Sequence, residues 1–268
     1  MAYISVKGLS KRFGATQALD DVSFEIPQGE FVVVLGASGS GKSTLLRCMN
    51  GLTKPTEGTI TIDETEITEP QPDTAMIFQQ HNIIGQMSAY ANSLTGSLQR
   101  TSFLRSVFQL NDREDKYRAL DALETVGLLD EARQRARQMS GGQQQRVGIA
   151  RALVQEPNTL LADEPVASLD PGSSQKVMGY LLAATQDRNL TTMVSLHQVN
   201  LARQFGQRFI GLKDGQKVFD GYAEDFSLDV IDDIYETVDI DQLTADEDDF
   251  GGEASASDAA DATDEVMG

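Results

Sequence analysis

A glycine-rich segment at positions 36–44 holds the residue types best suited to chemistry in this 268-residue chain. Its glycines let the backbone wrap around a polyphosphate and bind it through N–H groups, and a following helix would present its positive end to the same anion. Lys42 would reach the β- and γ-phosphates of a nucleotide, and the Ser43 hydroxyl would ligate a magnesium ion. The spacing G-x-x-x-x-G-K-[ST] therefore predicts a nucleotide site. Its predicted members are Gly36, Ala37, Ser38, Gly39, Ser40, Gly41, Lys42, Ser43 and Thr44.

Two adjacent carboxylates, Asp163 and Glu164, follow the apolar run 159–162. Asp163 would hold the magnesium ion, directly or through water, and Glu164 is placed to polarise an attacking water as general base. Acidic residues commonly end strands at protein surfaces, so the pair is specific only together with the glycine-rich segment. Both carboxylates are therefore predicted to serve the same nucleotide.

Buried strands must position these groups. The unbroken apolar run Phe31–Leu35 is typical of a strand buried on both faces of a parallel sheet, and a helix is predicted over 42–50. Further strands are predicted at 3–6, 22–26, 58–63, 75–78, 159–162 and 191–196, with a hairpin at 208–220. Between about 86 and 158 helical patterns take over, with helices at 117–126 and 143–154. The pattern predicts an α/β core interrupted by a helical insert.

Charge is concentrated at one end of the chain. The net charge is −19, yet residues 220–268 contain 18 acidic residues and no Lys or Arg, which leaves the first 219 residues at −1. The segment from about 238 is too polar and too charged to pack and is predicted to be disordered. Abundant Asp with only 8 Lys is the composition expected of a halophilic cytoplasm. The nearly neutral charge of the first 219 residues argues only weakly against binding to nucleic acid. We nevertheless expect no nucleic-acid partner.

Cysteine content and hydropathy exclude other classes. Cys48 is the one cysteine, which excludes an intramolecular disulfide and a Cys-based zinc cluster, and we expect it in the core. The first residues do not have the pattern of a signal peptide, in which a positively charged segment precedes an apolar one. The sequence also contains no run of 18 apolar residues. We therefore expect a protein that is neither secreted by a standard signal nor membrane-spanning.

The segment Met139-Ser140-Gly141-Gly142-Gln143 resembles the signature motif of the ATP-binding subunits of ABC transporters, with Met where that family most often has Leu. Ser140 can cap the helix that follows and leave its positive end facing outward. The resemblance covers about residues 1–236 and leaves 237–268 as an acidic tail. It implies a P-loop NTPase fold with a RecA-like core, an N-terminal antiparallel β-subdomain and a helical subdomain at about 86–158.

Further motifs of the family follow in order. Gln79 matches the glutamine that senses magnesium and couples to the membrane subunits, and His197 matches the switch histidine that contacts the γ-phosphate. Ser168-Leu169-Asp170 matches the loop that communicates across a dimer, and Phe13 matches the aromatic residue that stacks on adenine. The resemblance gives no catalytic role to His81.

The resemblance implies ATP hydrolysis with Mg²⁺ at two composite sites in a head-to-tail homodimer. Each site would take Lys42, Ser43, Asp163, Glu164, Gln79 and His197 from one chain, and the segment from Ser140 to Gln143 from the other. The implied partners are two integral-membrane permease subunits and, indirectly, an extracytoplasmic binding protein. The chain would then work peripherally, at the cytoplasmic face of the cell membrane.

Three classes of ABC protein remain to be separated. Only 61 residues separate Gln79 from Ser140, which excludes the long coiled coils of repair ATPases, and a single cassette without a membrane domain favours an importer over translation factors and exporters. The amino-acid sequence is similar to that of the phosphonate-import ATPases in the segments 94–96, 99–108, 163–171, 195–199 and 225–235. The segment 81–86 departs from the sequence typical of that group. The sequence does not distinguish phosphonate, phosphate, phosphite and related oxyanions as the transported substrate. The alternative is an importer of polar amino acids or of methionine.

Overall fold

The computed structural model describes residues 3–80, 82–99 and 113–235. His81, most of the similar segment 99–108 and the predicted tail 237–268 lie outside these ranges. The strands, in chain order, are β1 (Ile4–Phe13), β2 (Thr16–Ile26), β3 (Phe31–Leu35), β4 (Glu57–Ile62), β5 (Thr65–Glu66), β6 (Thr74–Ile77), β7 (Thr159–Asp163), β8 (Thr191–Leu196), β9 (Arg208–Lys213) and β10 (Gln216–Tyr222). The described helices are α1 (Lys42–Met49), α2 (Ala89–Leu94), α3 (Arg113–Thr125), α4 (Gly141–Val154), α5 (Pro171–Arg188), α6 (Val199–Phe205) and α7 (Leu228–Tyr235).

The N-terminal strands form an antiparallel sheet in the order β2-β1-β4-β5. The predicted strands 3–6 and 22–26 are the outer ends of a longer hairpin, β1–β2. Its register shifts between Val6 and Leu9 and again between Leu9 and Lys11. Such irregularities break the alternation of apolar and polar residues, which is why sequence periodicity identified only part of each strand.

A second sheet has the order β10-β9-β3-β8-β7-β6. β3 pairs in parallel with β8 and β9, β7 pairs in parallel with β8 and β6, and β10 returns antiparallel to β9. Every residue of β3 is buried, as its unbroken apolar run predicted. Because the carboxyl ends of parallel strands meet at one edge, the segments that follow β3, β7 and β8 are brought together there.

The two sheets share a hydrophobic core with α1. Leu9, Leu19 and Ile60 of the first sheet, Met193 and Ile210 of the second, and Leu45, Leu46 and Met49 of α1 belong to one buried cluster. Cys48 lies in the same cluster, as predicted, and burial raises the pKa of its thiol to about 11. Packing on both sheets therefore fixes the helix that begins at the glycine-rich segment.

The helices differ from the predictions mainly in the second half of the chain. The helices predicted at 117–126 and 143–154 are α3 and α4, each of which begins a few residues earlier. The 18-residue α5 was not predicted, although Asp170 caps it, Pro171 begins it and Asn189 ends it with φ of 52°. Those are ordinary helix start and stop signals that the sequence offered. Within the described residues, no helix has the length and apolar character needed to cross a membrane.

Candidate nucleotide site

The glycine-rich segment forms a tight loop between β3 and α1. Gly41 has φ of 103°, and a Cβ there would lie 2.6 Å from the carbonyl oxygen of Ala18. A Cβ on Gly36 would lie 2.3 Å from the carbonyl oxygen of Leu212. Both positions therefore need glycine. The loop ends at the N-terminus of α1, where no side chain caps the first N–H groups. Those groups are available to an anion.

Lys42 is 4% exposed, and its ammonium group lies inside the loop. It donates to the carbonyl oxygens of Gly36 (2.7 Å) and Ala37 (3.1 Å), and its Nζ is 3.7 Å from Oε1 of Glu164. Burial lowers the pKa of Lys42, while the carboxylates of Glu164 and Asp163 act in the opposite direction. A buried ammonium among uncapped N–H groups fits a polyphosphate, as does the buried Ser40 hydroxyl, which has no hydrogen-bond partner within the described structure.

Asp163 is held by two hydroxyl groups. The Ser43 hydroxyl donates to Asp163 Oδ1 at 2.7 Å, and the Ser195 hydroxyl donates to the same oxygen at 3.0 Å. Ser195 in turn accepts from the Glu164 N–H at 2.9 Å, and Arg47 lies 3.9 Å from the second oxygen of Asp163. The carboxylate is thus oriented before any ligand binds.

Ser43 and Asp163 offer adjacent oxygen ligands of the kind that Mg²⁺ prefers. Across the described ranges, no group of three or more His, Cys, Asp or Glu residues is placed to hold a metal by itself. Mg²⁺ normally binds through one or two protein ligands together with substrate phosphates and water, so these residues fit it. Gln79 is exposed after β6, and within the described structure it makes no hydrogen bond to Ser43 or Asp163.

Glu164 and His197 meet at the same edge of the sheet. Nδ1 of His197 lies 3.9 Å from Oε2 of Glu164, and the two side chains are 45% and 21% exposed. Glu164 has φ of 46°, which costs a residue other than glycine about 1–3 kcal/mol. The bond from the Glu164 N–H to Ser195 helps to hold that conformation.

Phe13 ends β1 and presents a ring that is 52% exposed. The Lys11 ammonium lies 4.8 Å from the centroid of this ring. An exposed aromatic face is suited to stacking on a base. No hydrogen bond or ion pair among the described residues links it to the loop that binds phosphate.

The signature segment forms the capped N-terminus of α4, as predicted. The Ser140 hydroxyl accepts from the Gln143 N–H at 3.3 Å, and the Gln143 side chain accepts from the Ser140 N–H at 3.0 Å. Ser140 and Gly141 are exposed. A Cβ on Gly142 would lie 2.9 Å from the Ser173 hydroxyl, so this glycine permits close packing of α4 against α5.

Asp170 lies beside this segment as the cap of α5. It accepts from the Ser173 N–H at 2.9 Å, and hydrogen bonds from Ser173 lower the pKa of its carboxyl group. Most of the predicted residues thus separate into two groups, and Phe13, Thr44 and Gln79 belong to neither. We call the first the phosphate cradle: Gly36–Ser43, Asp163, Glu164 and His197. The second is the signature cluster: Ser140–Gln143, Asp170 and Ser173. No hydrogen bond or ion pair between described residues joins the two.

Sequence reasoning gave no role to Ser195, Arg47 or Tyr235, all of which contact the phosphate cradle. Ser195 is opposite Asp163 in the β7–β8 register. Only the pairing of these strands reveals that position, because 31 residues separate Ser195 from Glu164 in the chain. Tyr235 reaches the cradle from the last described helix.

Comparison with known proteins gives consistent matches. The model of the family described as "ABC transporter" matches residues 19–167. The chain is 63% identical over 248 residues to the phosphonates import ATP-binding protein PhnC of Halobacterium salinarum, covering 92% of this chain and 89% of that one. It is 58% identical over 236 residues to PhnC 1 of Haloquadratum walsbyi, with coverage of 88% and 78%.

Solved structures with the same architecture include nucleotide-bound ATP-binding cassettes. The dimeric post-hydrolysis state of the cassette MJ0796 with ADP and Pi has a TM-score of 0.71 at 35% identity, covering 82% of this chain and 98% of that one. The ADP conformation of the ABC transporter cassette MJ1267 has a TM-score of 0.75 at 27% identity, with coverage of 84% and 92%. The fold is that of a P-loop NTPase with an ABC-type arrangement.

Proposed function

The chain belongs to the ABC transporter family, and we propose that it is the ATP-hydrolysing subunit of an importer for phosphonate or a related phosphorus oxyanion. One observation carries the ATPase assignment: Lys42 and His197 each lie within 4 Å of the Glu164 carboxylate at the edge of the sheet. The substrate class is supported by relatives at 63% and 58% identity that are named as phosphonate importers.

The phosphate cradle holds the nucleotide. N–H groups of the loop and of the α1 N-terminus bind the phosphate oxygens, Lys42 reaches the β- and γ-phosphates, and Phe13 stacks on adenine. Ser43 and Asp163, which are already in contact, would hold Mg²⁺. Gln79 would be a further ligand. When bound, the metal neutralises developing charge on the phosphates.

Hydrolysis depends on three side chains at the carboxyl ends of β3, β7 and β8. Glu164 accepts a hydrogen bond from the attacking water and begins to remove its proton. Lys42, 3.7 Å away, stabilises the charge that develops on the phosphate oxygens. His197 contacts the γ-phosphate from the other side of Glu164, and its imidazole is already within 3.9 Å of that carboxylate.

A second copy of the chain completes each site. Its signature cluster supplies Ser140, Gly141, Gly142 and Gln143 at the helix N-terminus, whose positive end suits the γ-phosphate. Asp170, beside that helix, communicates across the dimer. The similar cassette MJ0796 was solved as a dimer, which supports this arrangement. ATP closes the dimer, and hydrolysis with release of phosphate reopens it.

The remaining assignments are part of the same proposal and are supported by family membership and by the charge distribution along the chain. The homodimer associates with two permease subunits at the cytoplasmic face of the membrane and receives substrate from an extracytoplasmic binding protein. Residues 1–236 form the ATPase, and 237–268 form an acidic appendage. No nucleic acid takes part. The halophile composition agrees with the sources of the two relatives named above.

ATPase activity of the assembled transporter tests the substrate class. The transporter is reconstituted in proteoliposomes with its binding protein, and ligands are compared: methylphosphonate, phosphite, phosphate, methionine and glutamine. We expect stimulation by the phosphorus compounds and none by the amino acids. The same assembly with Glu164→Gln controls for contaminating ATPases. Stimulation by methionine or glutamine, with none by phosphorus oxyanions, would assign the chain to the alternative group of importers.

A further inference from the structure

Tyr235, at the end of α7, brings a phenol to the phosphate cradle. Its hydroxyl donates to the backbone carbonyl of His197 at 3.3 Å. Burial raises the pKa of Tyr235 to about 12, while the Gly36 N–H acts to lower it and the Glu164 carboxylate to raise it. The hydroxyl is therefore protonated at neutral pH and lies among the segments that follow β3, β7 and β8. Tyr235 thus places a hydrogen-bond donor at the phosphate cradle, although it belongs to none of the sequence motifs.

The position of Tyr235 is fixed by the way α7 packs on β9. Ser227 caps the helix by accepting from the Val230 N–H at 3.4 Å, and Ile231 and Ile234 are buried. Ile234 lies against the bare backbone of Gly211 in β9, where a Cβ would come within 2.6 Å of its Cδ1 atom. Because β9 pairs with β3, the helix has a defined place beside the strand that leads into the glycine-rich loop.

An aromatic pair anchors the approach to the same helix. Phe226 stacks on Phe209 of β9, with ring centroids 4.3 Å apart and ring planes 8° from parallel. Phe226 is buried, and so is Phe209. Anchored before its first turn and along its buried face, α7 holds the Tyr235 hydroxyl in place.

His197 needs such support because it lies between two regular elements. β8 ends at Leu196 and α6 begins at Val199, with no side-chain cap from Gln198. Movement of the His197 backbone would therefore carry the imidazole away from Glu164. The hydrogen bond from Tyr235 restrains that carbonyl.

We propose that Tyr235 is a positioning residue for ATP hydrolysis, whose hydroxyl fixes the backbone of His197 and so holds the imidazole beside Glu164. The inference rests on the proposed ATPase function. It assigns the last described helix to the γ-phosphate end of the site, whereas the sequence motifs end at His197.

Steady-state ATPase kinetics of the full-length chain test this role. Tyr235→Phe keeps the ring and the packing of α7 but removes the donor. We expect kcat to fall about three- to tenfold with KM for ATP unchanged, as for loss of one hydrogen bond that orients a reacting group. Tyr222→Phe is the matched control, because it also removes a phenolic donor, here to Glu30 at 2.9 Å on the far strand β10, and should keep wild-type kcat.

A double-mutant cycle separates positioning from a general structural effect. If Tyr235 acts through His197, Tyr235→Phe lowers kcat in the wild-type background and has no effect in the His197→Ala background. A wild-type kcat in Tyr235→Phe, or the same fold-loss in both backgrounds, would overturn the inference. If the wild-type chain hydrolyses no ATP, the proposed function itself fails. If the wild-type chain does hydrolyse ATP and His197→Ala retains its kcat, the positioning role fails, because the orientation of His197 then does not matter to the reaction. If His197→Ala is impaired and Tyr235→Phe is not, only the positioning role fails.

Discussion

In the phosphate cradle, buried polar groups contact one another within one chain, whereas the signature cluster presents exposed groups that only cap their own helices. Lys42 and Asp163 are almost fully buried, and Ser43 and Ser195 orient the carboxylate. Ser140 is exposed and satisfied by its capping box. The cradle is therefore organised before ligand binding, and in the proposed dimer the signature cluster would act only when a partner brings phosphate to it.

The electrostatics of the two regions differ for the same reason. Charges in the cradle act in a partly buried environment, where interactions are several-fold stronger than in water. The dipole at the exposed end of α4 is screened by water and salt, and a second chain covering it in the proposed dimer would remove that screening. Nucleotide binding should thus depend on the cradle and Phe13 without the signature cluster, and hydrolysis should depend on both regions. The predictions below test that separation.

The largest effect is expected at Glu164. Glu164→Gln removes the base but keeps the shape of the side chain, so kcat should fall by about 10²–10⁴, the usual contribution of general base catalysis. ATP affinity should be unchanged, as measured by equilibrium binding. Glu124→Gln, at an exposed carboxylate of α3, is the control and should keep full activity. Normal hydrolysis by Glu164→Gln would mean that another group is the base.

The next largest effect is expected in the signature cluster. Ser140→Asp keeps a capping side chain on α4 but puts a negative charge where a partner's γ-phosphate would lie. We expect kcat to fall about 10²–10³ with ATP binding to the single chain retained. Ser88→Asp makes the same change at the cap of α2 and should leave hydrolysis unaffected. Equal activity in both variants would show that Ser140 faces no phosphate.

A smaller loss is expected at Ser195, which supports the cradle without meeting the nucleotide. Ser195→Ala leaves the Glu164 N–H without its acceptor and Asp163 with one hydroxyl fewer. We expect about 1–3 kcal/mol less stability in urea unfolding and about tenfold lower kcat. Thr192→Val removes another buried hydroxyl of β8, bonded to Thr185 at 2.7 Å, and should reduce stability only. Similar kcat values in the two variants would deny Ser195 its orienting role.

The smallest effect concerns pH and the packing of α1. Burial raises the pKa of Cys48 to about 11 from its ordinary 9, so its contribution to stability is complete below pH 9 and lost as pH rises to 11. The free energy of unfolding should fall by about 2 kcal/mol more across this range in wild type than in Cys48→Ala. Identical slopes would indicate a solvent-accessible thiol and a loosely packed α1.

The predictability of the two regions follows from how each is built. The glycine-rich loop, β3 and α1 are contiguous in the chain, so residue types and spacing are enough to predict them. The cap of α4 at Ser140 is predictable for the same reason, because it involves only neighbouring residues. Ser195 and Tyr235 reach the cradle only through the pairing of β7 with β8 and the packing of α7 on β9. Such contacts join residues far apart in sequence, and periodicity carries no information about them.

Two further differences between the predicted and the observed elements concern β1 and α5. Register shifts in β1 interrupt the alternation of apolar and polar residues, so the sequence predicts only part of the first hairpin. The helix α5 is not among the predicted helices, although Asp170 and Pro171 are ordinary signals for its start. The catalytic role of Glu164, the metal contact of Gln79 and the adenine contact of Phe13 remain predictions, since they need a nucleotide to be seen.

The mass of the Glu164→Gln chain in solution tests the composite site most directly. With ATP and Mg²⁺, light scattering should give twice the 29.1 kDa of one chain, and with ADP a single chain. Adding Ser140→Asp should return the ATP-bound protein to one chain while nucleotide binding is retained. A Glu164→Gln chain that stays single with ATP bound, or a doubly substituted chain that still dimerises, would contradict the claim that cradle and signature cluster from two chains share one nucleotide.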